Sequence, residues 1–151
     1  GALCTVVFAL MNQGDHMLGT SSVYGPSRVV MERDFSRFGV QHSFVDTSNI
    51  DEVRAAIRPN TRLLFIETPA NPLTDIGDIR ALAELAHRKG CLLAVDNCFC
   101  TPILQQPLSL GADIVIHVHH VAAGQVSIRV EQREGVGEPG ETVGIRIARG
   151  L

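Results

Sequence analysis

The chain has 151 residues, of which 45% are hydrophobic and 19% charged, and its formal net charge is −3. This length and composition are typical of one globular domain and exclude an intrinsically disordered chain. The small, evenly spread charge excludes the basic surface of a nucleic-acid-binding protein and a polybasic membrane anchor. No apolar run reaches the roughly 18 residues of a membrane span, so we expect no membrane association.

Helical and extended patterns alternate along the first 116 residues. Strand patterns cover residues 16–19, 40–45, 62–66 and 91–95, and helical patterns cover residues 2–12, 26–38, 49–57 and 78–89. Either Asn49 or Asp51 is expected to cap the third helix. Alternation of this kind predicts an α/β fold with a doubly wound, mostly parallel sheet.

The clearest pair of elements is the fourth helix and the strand after it. Asp78 is a suitable N-cap, and Gly90 lies where a helix ends. The apolar face follows the spacing i, i+3, i+4, i+7, with Ile79, Leu82, Ala83 and Ala86. Residues 91–95 are apolar on both faces, which predicts a central parallel strand covered on both sides.

The pattern changes after about residue 116. Residues 126–131 and 142–148 alternate between polar and apolar side chains around a turn-rich stretch, which predicts an antiparallel β-hairpin. We therefore divide the chain into an α/β core over residues 1–117 and a divergent tail over residues 118–151.

The four cysteines and the first residue bear on the cellular compartment. Cys4 and Cys91 lie in apolar runs and are interpreted as buried, whereas Cys98 and Cys100 are too close for a zinc knuckle. Without a signal-peptide pattern we expect no disulfide framework and a cytoplasmic location. Because the chain begins at Gly1, without an initiator Met, we expect a fragment of a longer protein.

Polar side chains follow several predicted strands. Tyr24 comes after the first strand, Glu67 and Asn71 after the third, and Asp96 after the fourth. Ligands of open α/β sheets bind beyond the carboxyl ends of the strands, so these residues predict a ligand site. Position alone leaves a second interpretation of Asp96 open, namely a structural carboxylate that accepts hydrogen bonds from loop amides.

Several motifs identify a family. The segments 65–72 (FIETPANP), 94–102 (AVDNCFCTP), 104–108 (LQQPL) and 110–117 (LGADIVIH), with Tyr24-Gly25 and residues 37–40, resemble the cysteine/methionine-metabolism family of pyridoxal 5'-phosphate (PLP) enzymes. The resemblance covers residues 1–117 and is greatest to members that act on O-succinylhomoserine. It implies the large-domain core of PLP-dependent transferases of fold type I, trans-sulfuration chemistry in methionine biosynthesis, a small amino-acid substrate and a homo-oligomer.

The resemblance also implies roles for five residues. Tyr24 matches the tyrosine that stacks on the cofactor ring, and Asn71 matches the asparagine that binds the phenolic oxygen, with Glu67 behind it. Asp96 matches the aspartate that pairs with the pyridinium nitrogen and keeps the ring protonated as an electron sink. Cys98 lies where many relatives have a threonine near the ring.

The sequence departs from the family after residue 117. Relatives continue Ser-Ala-Thr-Lys, and their lysine bonds the cofactor covalently; here the matching residues are Val118, His119, His120 and Val121. The only lysine, Lys89, precedes its strand, which places it roughly 20 Å from Asp96 at about 3.3 Å per residue. We therefore expect no catalytic lysine and an impaired or inactive chain.

Residues 144–151 resemble the family's C-terminal strand, which implies that Arg146 binds the substrate carboxylate. His117, His119 and His120 are a candidate metal site, against the alternative of imidazoles at a strand end that replaces a lost motif. His16, His42 and His87 are interpreted as surface or capping residues. Three functions thus remain open: an impaired sulfhydrylase-like enzyme, a non-catalytic PLP-binding or self-associating fragment, and a metal-binding domain.

Overall fold

The computed structural model describes residues 1–121, 125–133 and 144–145. The strands are β1 (His16–Thr20), β2 (Gln41–Val45), β3 (Thr61–Glu67), β4 (Leu92–Asp96), β5 (Ile114–Val121), β6 (Gln125–Gln132) and β7 (Gly144–Ile145). The helices are α1 (Ala2–Leu10), α2 (Gly25–Val29), α3 (Ile50–Ala56), α4 (Ile79–Arg88) and α5 (Thr101–Leu104). A π-helical turn, Val30–Phe35, continues α2, and a 3₁₀ turn, Pro107–Leu110, precedes β5.

The strands form one sheet in the order β2-β1-β3-β4-β5-β6-β7. The pairs among β1 to β5 are parallel, whereas β6 and β7 are added antiparallel. The predicted α/β fold with a mostly parallel sheet is therefore confirmed. The strand order reverses between β1 and β3, because the chain leaves β1 toward β2 and leaves β3 toward β4, and such a switch point opens a crevice at the carboxyl edge.

Two apolar cores lie on opposite faces of the sheet. One contains side chains from α1 and the α2–π helix, including Val7, Met31 and Phe35. The other contains Val53 of α3 and the apolar face of α4. Because both faces are covered, the central strands are apolar throughout, and Leu63 to Ile66 and Leu93 to Val95 are nearly inaccessible to solvent.

The local signals that predicted α3 and α4 correspond to observed caps. The Asn49 side chain accepts hydrogen bonds from the amides of Asp51 and Glu52, so Asn49 rather than Asp51 is the cap of α3. The Asp78 carboxylate accepts one from the amide of Ala81, and Gly90, which follows the C-cap residue of α4, has a φ of +73°. That left-handed conformation favours glycine.

The C-terminal part of the sheet differs from the predicted arrangement in one respect. Strand β5 runs on past residue 117 to Val121, and β6 pairs with β5 along eight residue pairs, from Ile114 and Gln132 to Val121 and Gln125. Among the described residues, β6 pairs with β7 over two residue pairs. The division of the chain at residue 117 stays a prediction, and Arg146 lies outside the described residues.

One histidine prediction is wrong. His16 is fully buried, and its ring bonds Thr61 Oγ1 and Ser43 Oγ at 2.8 Å each, because it lies at the start of β1 between β2 and β3. His87 lies in the last turn of α4, and its ring forms a hydrogen bond with the buried carboxylate of Asp113 at 2.8 Å. Among the described residues, no helix is long and apolar enough to cross a membrane.

Candidate cofactor site

A cleft of about 500 Å³ opens at the carboxyl edge of the sheet. Its wall comes from the loops after β1, β3 and β4, from β5 and from the first turn of α1. The five predicted cofactor-binding residues all line it: Tyr24, Glu67, Asn71, Asp96 and Cys98. Their assignment to a cofactor remains a prediction, but the fold brings together residues that are up to 74 positions apart (98 − 24).

Glu67, the last residue of β3, lines this cleft. It is 6% exposed, and its Oε2 accepts a hydrogen bond from the backbone amide of Tyr24 at 2.7 Å. The pKa of Glu67 is raised to about 6, chiefly by burial and to a smaller extent by the nearby Asp96, whereas the amides of Tyr24 and Asn71 oppose the shift.

Asp96, the last residue of β4, is the register neighbour of Glu67. It is partly buried, as the sequence predicts, and its Oδ1 accepts a hydrogen bond from the Cys98 amide at 3.1 Å. Burial raises the pKa of Asp96, while hydrogen bonds from the Cys98 thiol and amide act in the opposite direction. Both interpretations of Asp96 from the sequence therefore have a physical basis, since it accepts a loop amide and also faces the cleft.

The loops that carry Tyr24 and Asn71 are held by their own backbone contacts. Tyr24 is the N-cap residue of α2, and its carbonyl accepts a hydrogen bond from the Arg28 amide at 3.0 Å. The loop after β3 folds back so that the amide of Ala70 bonds the carbonyl of Asp75 at 3.0 Å. Tyr24 is 48% exposed and Asn71 partly buried, so both side chains are available to a ligand.

The charge of the cleft fits the ring of PLP. In the part of the chain that the structure describes, no salt bridge involves Glu67 or Asp96, although both are carboxylates removed from water. A buried carboxylate is stabilised by a cationic N–H donor, which is what a protonated pyridine nitrogen provides. The first turn of α1 adds backbone amides without intrahelical acceptors, which is the usual environment for a phosphate group.

Two sequence predictions concern lysine. Lys89 is exposed and caps α4 immediately before β4, whereas Asp96 ends that strand, so the two lie at opposite edges of the sheet. Val121, which the family resemblance predicts at the lysine position, is the last residue of β5. The residues fit the cofactor ring, and they offer no lysine amine to bond it.

The metal interpretation of the histidines gains no support. His117 is 5% exposed, and its Nε2 lies 3.5 Å from a carboxylate oxygen of Glu131 on β6. The side chains of His119 and His120 lie outside the described residues. Among the described residues, no group of three or more His, Cys, Asp or Glu side chains is arranged to hold a metal ion.

The cleft is also lined by residues that the sequence did not predict, among them Cys4, Val30, Phe99 and Ile116. Cys4 was expected to be buried, but it is only partly buried because α1 turns its first residues toward the cleft. Phe99 is 60% exposed next to Cys98. Its position beside a predicted site residue was the one available signal, since an exposed phenylalanine cannot be recognised from sequence alone.

The chain belongs to the Cys/Met metabolism PLP-dependent enzyme family, whose profile matches residues 1–120. The predicted family is therefore confirmed, as is PLP as the cofactor of that family.

Particular relatives can now be given. The chain is 53% identical over 116 residues to O-succinylhomoserine sulfhydrylase of Pseudomonas aeruginosa, covering 77% of this chain and 29% of the relative. It is 52% identical over 116 residues to cystathionine gamma-lyase of Bacillus subtilis, covering 77% and 31%. Among solved structures, cystathionine gamma-lyase of Lactobacillus plantarum complexed with L-serine is similar with a TM-score of 0.74 and 41% identity, covering 77% and 30%.

The fold of a PLP-dependent enzyme of fold type I is thereby confirmed. The chain spans less than a third of the length of these curated relatives. The identities to a sulfhydrylase and to a lyase differ by one percentage point, so similarity supports the class of chemistry and does not select a substrate.

Proposed function

We propose that this chain is the part of a PLP-dependent trans-sulfuration enzyme that holds the cofactor ring. The observation that carries the proposal is that five side chains, from the carboxyl ends of β3 and β4 and from the loops after β1, β3 and β4, line one cleft with two carboxylates and no paired cation among the described residues. The whole enzyme would act on O-succinylhomoserine in methionine biosynthesis, in the cytoplasm, where the four free thiols are stable.

The chemistry divides between the cofactor and this chain. When bound, the cofactor supplies an electron sink that stabilises negative charge at the substrate α-carbon. Asp96 would accept a hydrogen bond from the protonated ring nitrogen, Tyr24 would stack on the ring, and Asn71 would donate a hydrogen bond to the ring oxygen. The Cys98 thiol donates a hydrogen bond to Asp96 and keeps that carboxylate oriented. Arg146 is proposed to bind the substrate carboxylate.

No residue of this chain can replace the missing lysine. Lysine would be both covalent anchor and proton carrier in the γ-replacement of succinate by sulfur. Lys89 is at the far edge of the sheet, and Val121 has no titratable group. We therefore propose that this chain binds PLP without a covalent bond and does not turn over O-succinylhomoserine by itself.

The experiment that tests the proposal is a PLP titration followed by absorbance and by tyrosine fluorescence. Tyr24 is the only tyrosine and there is no tryptophan, so the intrinsic emission reports on the site alone. We expect saturable quenching, with N-acetyltyrosinamide correcting for light absorbed by PLP. D96N should weaken binding about tenfold or more, because a charge-assisted hydrogen bond is lost.

The matched control is D51N, which makes the same change at an exposed carboxylate on α3 and should leave PLP affinity unchanged. Borohydride reduction followed by mass spectrometry should find no adduct. Absence of saturable binding at millimolar PLP would contradict the proposal, and an adduct on Lys89 would contradict its non-covalent part. Adding O-succinylhomoserine or cystathionine to the PLP-loaded chain and comparing the spectra tests the substrate.

A further inference from the structure

The Glu67 carboxylate connects two loops that are distant in sequence. Its Oε2 lies 2.7 Å from the backbone nitrogen of Tyr24, which is 43 residues earlier in the chain. The backbone amide of Asn71 also acts on this carboxylate, where it opposes the rise in the Glu67 pKa. One side chain at the end of β3 thus interacts with the backbone amides of the two residues whose side chains are assigned to the cofactor ring.

These contacts cross the switch point of the sheet. Tyr24 belongs to the connection that leaves β1 toward β2, and Asn71 to the connection that leaves β3 toward β4. No strand pairing fixes the distance between the two connections beyond the edge of the sheet. The Glu67 carboxylate, at the start of the second connection, contacts the first through the Tyr24 amide.

We propose that Glu67 is a positioning residue whose carboxylate sets the spacing between Tyr24 and Asn71 through their backbone amides. This proposal rests on the proposed function for its consequence, since the spacing matters only if the two side chains hold a ring. It differs from the role implied by the family resemblance, in which Glu67 lies behind Asn71, because it extends the contact to the Tyr24 loop.

A carboxylate is suited to this task because each of its oxygens accepts a hydrogen bond, and charge-assisted bonds are stronger than neutral ones. Its titratable neighbours in the cleft are Asp96 and Cys98 from β4 and its following loop, Tyr24 from the loop after β1, and Cys4 and the amino group of Gly1 at the start of α1. With a pKa near 6, the group changes its charge within an accessible pH range. Protonation should weaken both amide bonds together.

The direct test is a pH titration of backbone amide shifts by ¹⁵N–¹H NMR on the intact chain without PLP. We expect the amide protons of Tyr24 and Asn71 to move together between pH 4.5 and 7.5, with one midpoint near 6. In D96N the common midpoint should fall, because the like charge that raises it is gone. In E67Q both movements should disappear.

The matched control is E84Q, which makes the same change at an exposed glutamate on α4 and should leave both titrations intact. Amides that do not move, or that move with separate midpoints, would overturn the proposal in the unaltered chain, whether or not E67Q folds. Titration that persists in folded E67Q would assign the effect to Asp96 and would also overturn it.

A second measurement separates this proposal from the proposed function. E67Q should lower PLP affinity about tenfold relative to E84Q, because two charge-assisted bonds that align the loops are weakened. If the amides titrate as expected but neither chain binds PLP, the positioning role of Glu67 stands and the proposed function fails. If PLP binds and the amide shifts do not follow the titration of Glu67, the proposed function stands and the positioning role of Glu67 is wrong.

Discussion

His16 illustrates how the fold changes the behaviour of a single side chain. Its ring is buried between Thr61 and Ser43, and this burial, with a smaller effect of Arg58, lowers its pKa to about 4. Folded His16 is therefore neutral over most of the acid range. The same ring in the unfolded chain takes up a proton near pH 6.5.

This difference predicts a pH dependence of stability. Between pH 6.5 and about 4 the unfolded state binds the extra proton, so the contribution of His16 is complete above pH 6.5 and is lost as the pH falls toward 4. We expect this loss to reach about 2 to 3 kcal/mol. Urea unfolding at pH 4.5 and 7 measures it.

The comparison that isolates the effect is H16Q, which should show a much smaller loss between the two pH values. Glu67 and Asp96 titrate in both proteins, so their opposite contribution cancels in the difference. H42Q, a change at a partly buried histidine of β2, should keep most of the loss. An equal loss in the unaltered chain and in H16Q would show that His16 is not its cause.

At the scale of elements, α4 was the most predictable part of the chain. Its cap, its apolar face and its C-terminal glycine are local signals, and each corresponds to an observed contact or conformation. The Asp78 carboxylate accepts a hydrogen bond from the Ala81 amide at 3.1 Å. That amide has no acceptor within the helix, so the side chain satisfies an otherwise unpaired donor.

D78A should lower the free energy of unfolding by about 1 kcal/mol, whereas D78S, which keeps an acceptor oxygen, should recover most of it. Urea denaturation of the three proteins at pH 7 gives the comparison. A stability of D78A equal to that of the unaltered chain would mean that water replaces the cap without cost.

Strand β5 was less predictable because its extension depends on a partner. Residues 117–121 do not alternate regularly, and their histidines suggested a metal site or a strand end. The strand continues because β6 pairs with it along its whole length. The amide of Arg133 bonds the carbonyl of Asp113 at 2.7 Å, and its guanidinium bonds the buried Asp113 carboxylate, which fixes the far end of β6.

At the scale of the whole molecule, large apolar side chains remain on the surface. Ile103 and Leu104 are 92% and 77% exposed, and Phe99, Leu73 and Ile76 are each at least 60% exposed. Exposed apolar groups of this size favour association. The homo-oligomer implied by the family resemblance thus remains a proposal with a physical basis in this chain.

We expect the chain to self-associate with rising concentration, and the double variant I103S/L104S to do so less. Light scattering coupled to size-exclusion chromatography measures the mass at each concentration. The double variant L73S/I76S serves as the comparison, because an equal reduction there would indicate non-specific association. A monomer at every concentration would contradict the prediction.

The sequence by itself determined the family, the α/β class, the order of the first four helix–strand units and five of the residues that line the cleft. The class and the order of elements follow from local periodicity and caps, which are physical properties of short segments, whereas the family and the five residues follow from motifs that resemble those of known enzymes. The departure predicted at Val121 likewise rests on the resemblance, because it concerns the identity of one residue in a motif.

Only the tertiary structure decided which residues share an environment. The contact between Glu67 and the Tyr24 amide joins positions 43 residues apart. His16 is buried because strands lie on both sides of it, and Cys4 and Phe99 line the same cleft although they are far apart in sequence. Such properties depend on which strands become neighbours. Strand order is fixed by the packing of all elements together, and no local pattern specifies it.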